Sequence, residues 1–335
     1  MDPNKKTKET PRENFSDTGP GSDQISDRVN DRVTPLSRRT FLKGAAAIAG
    51  SAAGISGCKP TGLLGSTEAF ALEFQEYFKK HYKLMTPEEQ LGTVSRLERL
   101  AKLKDQSDIK ISTRQAQENV LYGYAFNVTR CEGYMECVKA CVKENNLDRK
   151  SNTQYIRIFE MEHGKMSPDQ GDGKFFHEVP RPGHFYMGVQ CFQCQNPPCV
   201  KACPTKATWM EPDGIVVVDY DWCIGCRYCM AACPYWGRRF NWNQPEVPKE
   251  AVTKEQHYLG NRMRVRGMME KCTFCIQRSR KGKLTACAEA CPTGARVFGN
   301  LLDPASEIRF VLANKKVYRL KEDLGTDPKF WFFID

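Results

Sequence analysis

Fifteen of the sixteen cysteines in this 335-residue chain fall into four short groups, so whatever fold it adopts must be built around clustered thiols. The first group is Cys131-Glu-Gly-Tyr134-Met-Glu-Cys137-Val-Lys-Ala-Cys141, and the second is Cys191-x2-Cys194-x4-Cys199-x3-Cys203-Pro204. The third is Cys223-Ile-Gly-Cys226-Arg-Tyr-Cys229-Met-Ala-Ala-Cys233-Pro234, and the fourth is Cys272-x2-Cys275-x11-Cys287-x3-Cys291-Pro292. Disulfides suit this spacing poorly, because cysteines two residues apart rarely reach the geometry of a structural bridge. Zinc ribbons also use paired Cys-x2-Cys units, but isolated ones, whereas these groups hold three or four cysteines each and three end in Cys-Pro. Covalent haem is excluded locally, since no Cys-x2-Cys is followed by His.

The third group reproduces the bacterial run that binds iron-sulfur clusters. Three closely spaced thiolates wrap one cubane, and the fourth, a helical step later, ligates the neighbouring cluster. Such groups therefore work in pairs. The second and third are separated by only nineteen residues, in which Pro212-Asp213-Gly214 makes a turn between Ala207-Thr-Trp-Met210 and Ile215-Val-Val-Val218. This predicts a hairpin between two cluster motifs. Pairing the inner groups assigns cluster A to Cys191, Cys194, Cys199 and Cys233, and cluster B to Cys203, Cys223, Cys226 and Cys229. Pairing the outer groups assigns cluster C to Cys141, Cys272, Cys275 and Cys287, and leaves cluster D with Cys131, Cys137 and Cys291.

In the register of the third group, Tyr134 stands where cluster D would find its fourth cysteine. Either the site holds three irons on three thiolates, or a fourth iron takes a non-cysteine ligand. A phenolate is a harder and poorer partner for this iron than a thiolate, so a three-iron cluster is the expectation. The expected cofactors are three [4Fe-4S] clusters and one [3Fe-4S] cluster.

Net charge is +10, of which residues 1–57 carry nine Lys/Arg against seven Asp/Glu, leaving +8 on the remainder. Four thiolate-ligated clusters would bring about −8 into the interior, which accounts for the excess without nucleic acid. Residues 1–36 are polar and poor in apolar side chains, a composition that does not build a core. Ser37-Arg38-Arg39-Thr40-Phe41-Leu42-Lys43 and the small-residue run after it resemble a twin-arginine export signal. That run is too short to span a bilayer as a stable helix. Ile55-Ser56-Gly57-Cys58 resembles a lipoprotein processing box, which makes Cys58, the cysteine outside the four groups, the expected lipidation site. The alternative is ordinary cleavage beside an incidental cysteine. No later stretch is apolar enough to cross a membrane, so attachment would be by lipid or partner.

Residues 68–104 read as two helices broken at Thr86-Pro87-Glu88-Glu89, a capping-box sequence with Pro in the first turn. The five histidines form no ligand spacing, and no phosphate loop, dinucleotide glycine run or nucleophile motif is present. Catalytic residues are therefore not expected on this chain. Two basic stretches, Arg262-Met-Arg-Val-Arg266 and Arg278-Ser-Arg-Lys-Gly-Lys283, are expected to supply positive charge near the clusters, with docking patches as the alternative. Phe330-Trp-Phe-Phe333 reads equally as a final strand closing the core or as a surface that meets a membrane partner.

From about Val120 onward the chain resembles the four-cluster ferredoxin subunits of the dimethyl-sulfoxide-reductase type, with relatives in sulfur metabolism, hydrogenase and alternative-complex-III systems. The match rests on the order of group spacings, on Asn196-Pro-Pro-Cys-Val-Lys-Ala-Cys-Pro204 and on Cys226-Arg-Tyr-Cys-Met-Ala-Ala-Cys-Pro-Tyr235. The resemblance implies a linear relay of one-electron centres, with cluster D at one end and cluster B at the other. It also implies a polysulfide-reductase-type integral membrane quinone subunit, and a molybdopterin, hydrogenase or multihaem cytochrome partner. The expected fold is α+β, duplicated ferredoxin-like modules over 119–335, with a helical extension over 58–118 and a tail plus signal over 1–57. The expected location is the periplasmic face of the cytoplasmic membrane. A free-standing periplasmic polyferredoxin, or a cluster-bearing sensor or structural protein, are the alternatives.

Overall fold

The computed structural model describes residues 85–105, 108–165 and 167–335, all within the unit Thr61–Asp335. The expected export signal, Cys58 and the helix expected before Thr86 lie outside the described residues. Helix α1 (Pro87–Asp105) starts with the reciprocal bonds its sequence encodes. Thr86 N donates to Glu89 Oε2 at 2.8 Å and Glu89 N donates to Thr86 Oγ1 at 3.3 Å, satisfying two amides the first helical turn would otherwise leave bare. Further along α1, Glu98 Oε1 accepts from Ile111 N at 2.7 Å, tying the helix to β1 (Lys110–Ser112). Strand β1 pairs in parallel with β8 (Glu255–His257).

The largest sheet has the order β10 (Arg296–Asn300), β2 (Tyr122–Asn127), β12 (Phe330–Ile334), β11 (Lys316–Tyr318). Every residue of β2 is buried, because its two faces meet different partners. Tyr122, Tyr124 and Phe126 join Phe330, Phe332 and the thiol-bearing loops in the main core. Ala125 lies instead with Val297 and Phe333 under Ile308 and Val311 of α7 (Glu307–Asn314). The Tyr124 and Phe330 rings stack at 5.3 Å, and Phe192, one residue past the second group's first cysteine, stacks on Phe330 at 4.6 Å. The Phe330–Phe333 segment is thus a core strand.

Three antiparallel pairs complete the strands: β3 (Arg157–Glu162) with β4 (His184–Val189), β5 (Thr208–Met210) with β6 (Val216–Val218), and β7 (Arg238–Phe240) with β9 (Met269–Lys271). The β5–β6 pair is the hairpin expected between the second and third groups. Its turn is closed by Glu211 N donating to Ile215 O and by Gly214 in the left-handed region, φ 78°. Four short helices hold later cysteines of the groups, α2 (Glu136–Glu144), α3 (Pro198–Lys201), α4 (Tyr228–Ala231) and α6 (Ala286–Glu289), and a fifth, α5 (Ile276–Ser279), starts directly after Cys275. The architecture is mixed α and β. No helix among the described residues is long and apolar enough to cross a membrane.

Candidate iron-sulfur centres

The backbone of each group bends so that consecutive thiols turn inward rather than alternating outward. Met135, Arg227 and Cys275 all adopt left-handed φ immediately before α2, α4 and α5. Gly133 and Gly225 share this bend, with φ 82° and 74°. At Gly225 no side chain fits, since a Cβ would stand 2.1 Å from the Gly267 carbonyl oxygen. The matched dihedrals put Tyr134 in the backbone position that Cys226 occupies in the third group. Tyr134 is nevertheless 41% exposed, and the Glu132 carboxylate beside its hydroxyl raises its pKa and holds the proton on.

All fifteen described cysteines are free thiols. They perturb one another's ionisation in four sets. Cys131 feels Cys137 and Cys291; Cys141 feels Cys275, Cys272 and Cys287. Cys194 feels Cys191, Cys199 and Cys233, while Cys226 feels Cys203 and Cys223, with Cys229 also facing Cys223 and Cys203. These are the groupings labelled D, C, A and B from the sequence. Four thiol pairs influence one another across sets: Cys137 with Cys287 and with Cys141, Cys272 with Cys191, and Cys229 with Cys199. They string the sets in the order D, C, A, B.

Burial pushes the Cys131 thiol up to about 11 and the Cys194 and Cys272 thiols up to about 12, with neighbouring thiols adding to each. Such groups do not ionise at neutral pH without a nearby cation, so loading with iron would displace protons. Among the described residues no three His, Cys, Asp or Glu side chains converge as around a single ion. A multi-iron cluster, in which each thiolate binds its own iron, suits this wider spacing better than zinc.

Unsatisfied buried donors supply a second test of fit. Arg238 Nε and Nη1, Arg296 Nη2 and Gln190 Nε2 make no well-formed hydrogen bond within the protein, although all three side chains are at least 95% buried. Buried donors left this way are costly, and the sulfides of a cluster are acceptors. Arg238 lies against Cys199 and Cys229, Arg296 against Cys137 and Cys287. Other donors already reach cysteine sulfur: Asn145 Nδ2 to Cys141 at 3.5 Å and Phe274 N to Cys272 at 3.4 Å. Tyr124 Oη and Cys287 Sγ are 3.2 Å apart. The residues present fit iron-sulfur clusters.

The basic stretches do not act as expected from the sequence. Arg262 pairs with Asp221, Arg264 with Glu270, Arg278 with Glu144 and Glu289, and Arg280 with Glu211 and Asp213. Their charges are spent on the fold's own carboxylates. Cations beside the thiols are instead the Arg238-Arg239 pair, Lys271, Arg296 and Lys329, residues in strands or at a strand edge that no long charge run advertises. The carboxyl-terminal segment was equally silent. Gln195 N donates to Asp327 O at 2.7 Å, Asn196 N to Thr326 O at 3.0 Å and Lys329 N to Phe192 O at 3.1 Å, clamping the second group's loop. Four histidines are accounted for by packing: His177 meets Glu160, His184 the Pro182 carbonyl, His257 the Arg114 carbonyl, and His163 stacks on Phe185.

A 4Fe-4S dicluster domain matches residues 183–261 and 257–301, which include the second, third and fourth groups but not the first. The chain is 37% identical to the Hdr-like menaquinol oxidoreductase iron-sulfur subunit 1 of Archaeoglobus fulgidus, over 66% of this chain and 86% of that one. It is 36% identical to the B component of the polysulfide reductase of Wolinella succinogenes, over 62% and 91%. It is 34% identical to the menaquinone reductase iron-sulfur cluster-binding subunit of Nitratidesulfovibrio vulgaris, over 64% and 88%. With its thiols gathered in sets and its matched segments covering most of each relative, the chain belongs to the 4Fe-4S dicluster iron-sulfur subunits of the dimethyl-sulfoxide-reductase, polysulfide-reductase and NrfC type.

Proposed function

We propose that this chain is a non-catalytic relay that passes single electrons through four clusters, between a membrane quinone subunit and a catalytic or haem partner. The observation that carries the reading is the order of the thiol sets, D, C, A, B, each lying within electrostatic reach of the next. A linear string has two ends, as a relay between two partners requires. In it Cys191, Cys194, Cys199 and Cys233 hold cluster A; Cys203, Cys223, Cys226 and Cys229 hold cluster B; Cys141, Cys272, Cys275 and Cys287 hold cluster C. The exchange of ligands between groups, a pattern of duplicated ferredoxin modules, locks the four into one body.

Cys131, Cys137 and Cys291 hold cluster D, a [3Fe-4S] cluster because Tyr134 offers neither a thiolate nor a free phenolate. The bound clusters supply one-electron redox chemistry, and the chain binds, spaces and shields them. Electron exchange with quinone is supported by the names of the menaquinol and menaquinone relatives. We further propose twin-arginine export, a periplasmic location and lipid anchoring at Cys58, with 1–57 as the leader and 58–118 as the helical extension before the cluster domain.

Anaerobic purification of the full chain tests this. It is expected to contain about 15 irons and, when oxidised, a three-iron EPR signal. An oxidised sample without that signal sinks the reading of cluster D. Purification as a soluble monomer with an unlipidated Cys58 sinks the membrane-bound relay in favour of a diffusing polyferredoxin. A partner that still exchanges electrons with quinone after Cys226→Ser sinks the relay itself.

A further inference from the structure

The thiol sets meet at three places, and a buried cation stands at each. Where Cys137 of D approaches Cys287 of C, Arg296 faces both. Where Cys272 of C approaches Cys191 of A, Lys271 faces Cys272 and Lys329 faces Cys191 and Cys194. Where Cys199 of A approaches Cys229 of B, Arg238 faces both. These four side chains are among the most buried cations of the fold, from 0% exposed for Lys271 to 5% for Arg296.

The contrast with the other buried arginines decides what they do. Arg264 and Arg280 sit within 3.0 Å of carboxylates, the ordinary way to bury a guanidinium. Among the described residues, none of the four junction cations has a carboxylate ion pair. Lys271 Nζ instead meets carbonyl oxygens of Val216 and Cys272, and Arg238 Nη2 the hydroxyl of Thr208 at 2.9 Å. Arg296 Nη1 meets Gln190 Oε1 at 2.9 Å, and Lys329 Nζ meets Gln195 Oε1 at 3.2 Å. These neutral partners solvate the cation without cancelling it. A fold that neutralises its structural arginines has left a net positive charge at every junction.

We propose that Arg296, Lys271 with Lys329, and Arg238 set the working potentials of the relay, each stabilising an added electron on both clusters it separates. An electron arriving on a cluster adds negative charge in a poorly polarisable interior, where a fixed cation favours the reduced form. Because Arg296 and Arg238 are each shared, removing either lowers two neighbouring potentials together and leaves the far pair alone. The proposal rests on the reading that the four thiol sets hold clusters.

Potentiometric EPR titration of the loaded full chain tests it. Arg238→Gln is expected to lower the potentials of clusters A and B by at least tenfold in reduction equilibrium, 59 mV for one electron, with C and D unmoved. Arg296→Gln is expected to give the mirror image, D and C falling while A and B stay. The charge-keeping variants Arg238→Lys and Arg296→Lys are expected to restore most of each shift. Four loaded clusters with unchanged potentials in both Gln variants overturn the proposal, as does a Lys variant that shifts as far as its Gln counterpart. Should the Gln variants fail to load, Lys329→Gln, which gives up hydrogen bonds to Gln195 and Met210, is expected to lower A, whose Cys191 and Cys194 it faces, and an unchanged potential there overturns the proposal equally. Wild-type protein lacking iron would instead refute the underlying cluster assignment.

Discussion

Tyr134 occupies a backbone position that the fold shapes for a ligand. Gly133 and Met135 repeat the left-handed dihedrals that Gly225 and Arg227 use to turn Cys226 inward, so the bend survives although the thiol does not. Tyr134→Cys therefore asks for no backbone change and is expected to convert cluster D to four irons. The oxidised variant should lose its three-iron EPR signal and gain about one iron per chain; persistence of that signal would mean some other feature excludes the fourth iron. His257 carries the residue-scale pH dependence. Its ring is fixed neutral, with Nε2–H donating to the Arg114 carbonyl at 2.9 Å and Nδ1 accepting from Leu259 N at 3.1 Å, and burial holds it down to about 4. The unfolded chain takes up this proton near the ordinary 6.5, so the unfolded state binds more protons below that pH. Stability present at pH 7 is lost as pH falls from about 6.5 toward 4, by about 2 kcal/mol at pH 5. Anaerobic urea unfolding at pH 7 and pH 5 measures it, and His257→Asn should flatten the difference. An equal loss in the variant would assign the pH dependence elsewhere.

At the scale of elements, what the sequence disclosed was local. The Thr86–Glu89 capping box, the β5–β6 hairpin and the four cysteine groups are each encoded within a few residues, and each is present where the pattern stands. Strand β12 was ambiguous because its role depends on a partner some 200 residues away: Phe330 pairs with Tyr124, and Phe332 with Phe126. An aromatic run says only that a large apolar surface needs cover. The junction cations were hidden for the same reason, since Arg238, Lys271, Arg296 and Lys329 become neighbours of thiols only when separate strands assemble. The basic stretches misled because charge density along the chain does not reveal whether a carboxylate waits across the core. Strand β12 now ties stability to the site. Phe330 is fully buried between Tyr124 and Phe192, and the residues leading into it clamp the loop that carries Cys194. Phe330→Ala is expected to cost about 3–5 kcal/mol and to lower cluster A occupancy before that of the others. Thermal unfolding together with iron analysis checks both. A destabilised variant whose four clusters are lost in parallel would show that the clamp has no local role.

For the whole molecule, the thiols are most shielded in set C and more open in the sets on either side of it. All four thiols of set C are buried, at 3% exposure for Cys141, 7% for Cys272 and 4% for Cys275 and Cys287. Set A has one half-buried member, Cys233, and set B has one, Cys226. Set D has two, Cys131 and Cys291, with exposed Tyr134 beside them. Packing sets B apart: Cys203, Cys223 and Cys229 lie with Cys199 of set A in a smaller core with Val216, Val218 and Tyr220, whereas most thiols of sets C and A, and Cys137 of set D, belong to the main core. Oxidants and chelators attack a cluster through whichever corner water can reach, so exposure should order its loss. Stepwise ferricyanide oxidation of the loaded chain, followed by EPR and iron content, is expected to remove D first, B next, then A, and C last. Loss of C should coincide with collapse of the tertiary structure, because Cys141, Cys272 and Cys287 are packed into the same core as Tyr124, Phe274 and Phe298. If C is stripped while D remains, burial does not protect the string, and the partially exposed thiols at its ends are sealed by contacts this chain does not make alone.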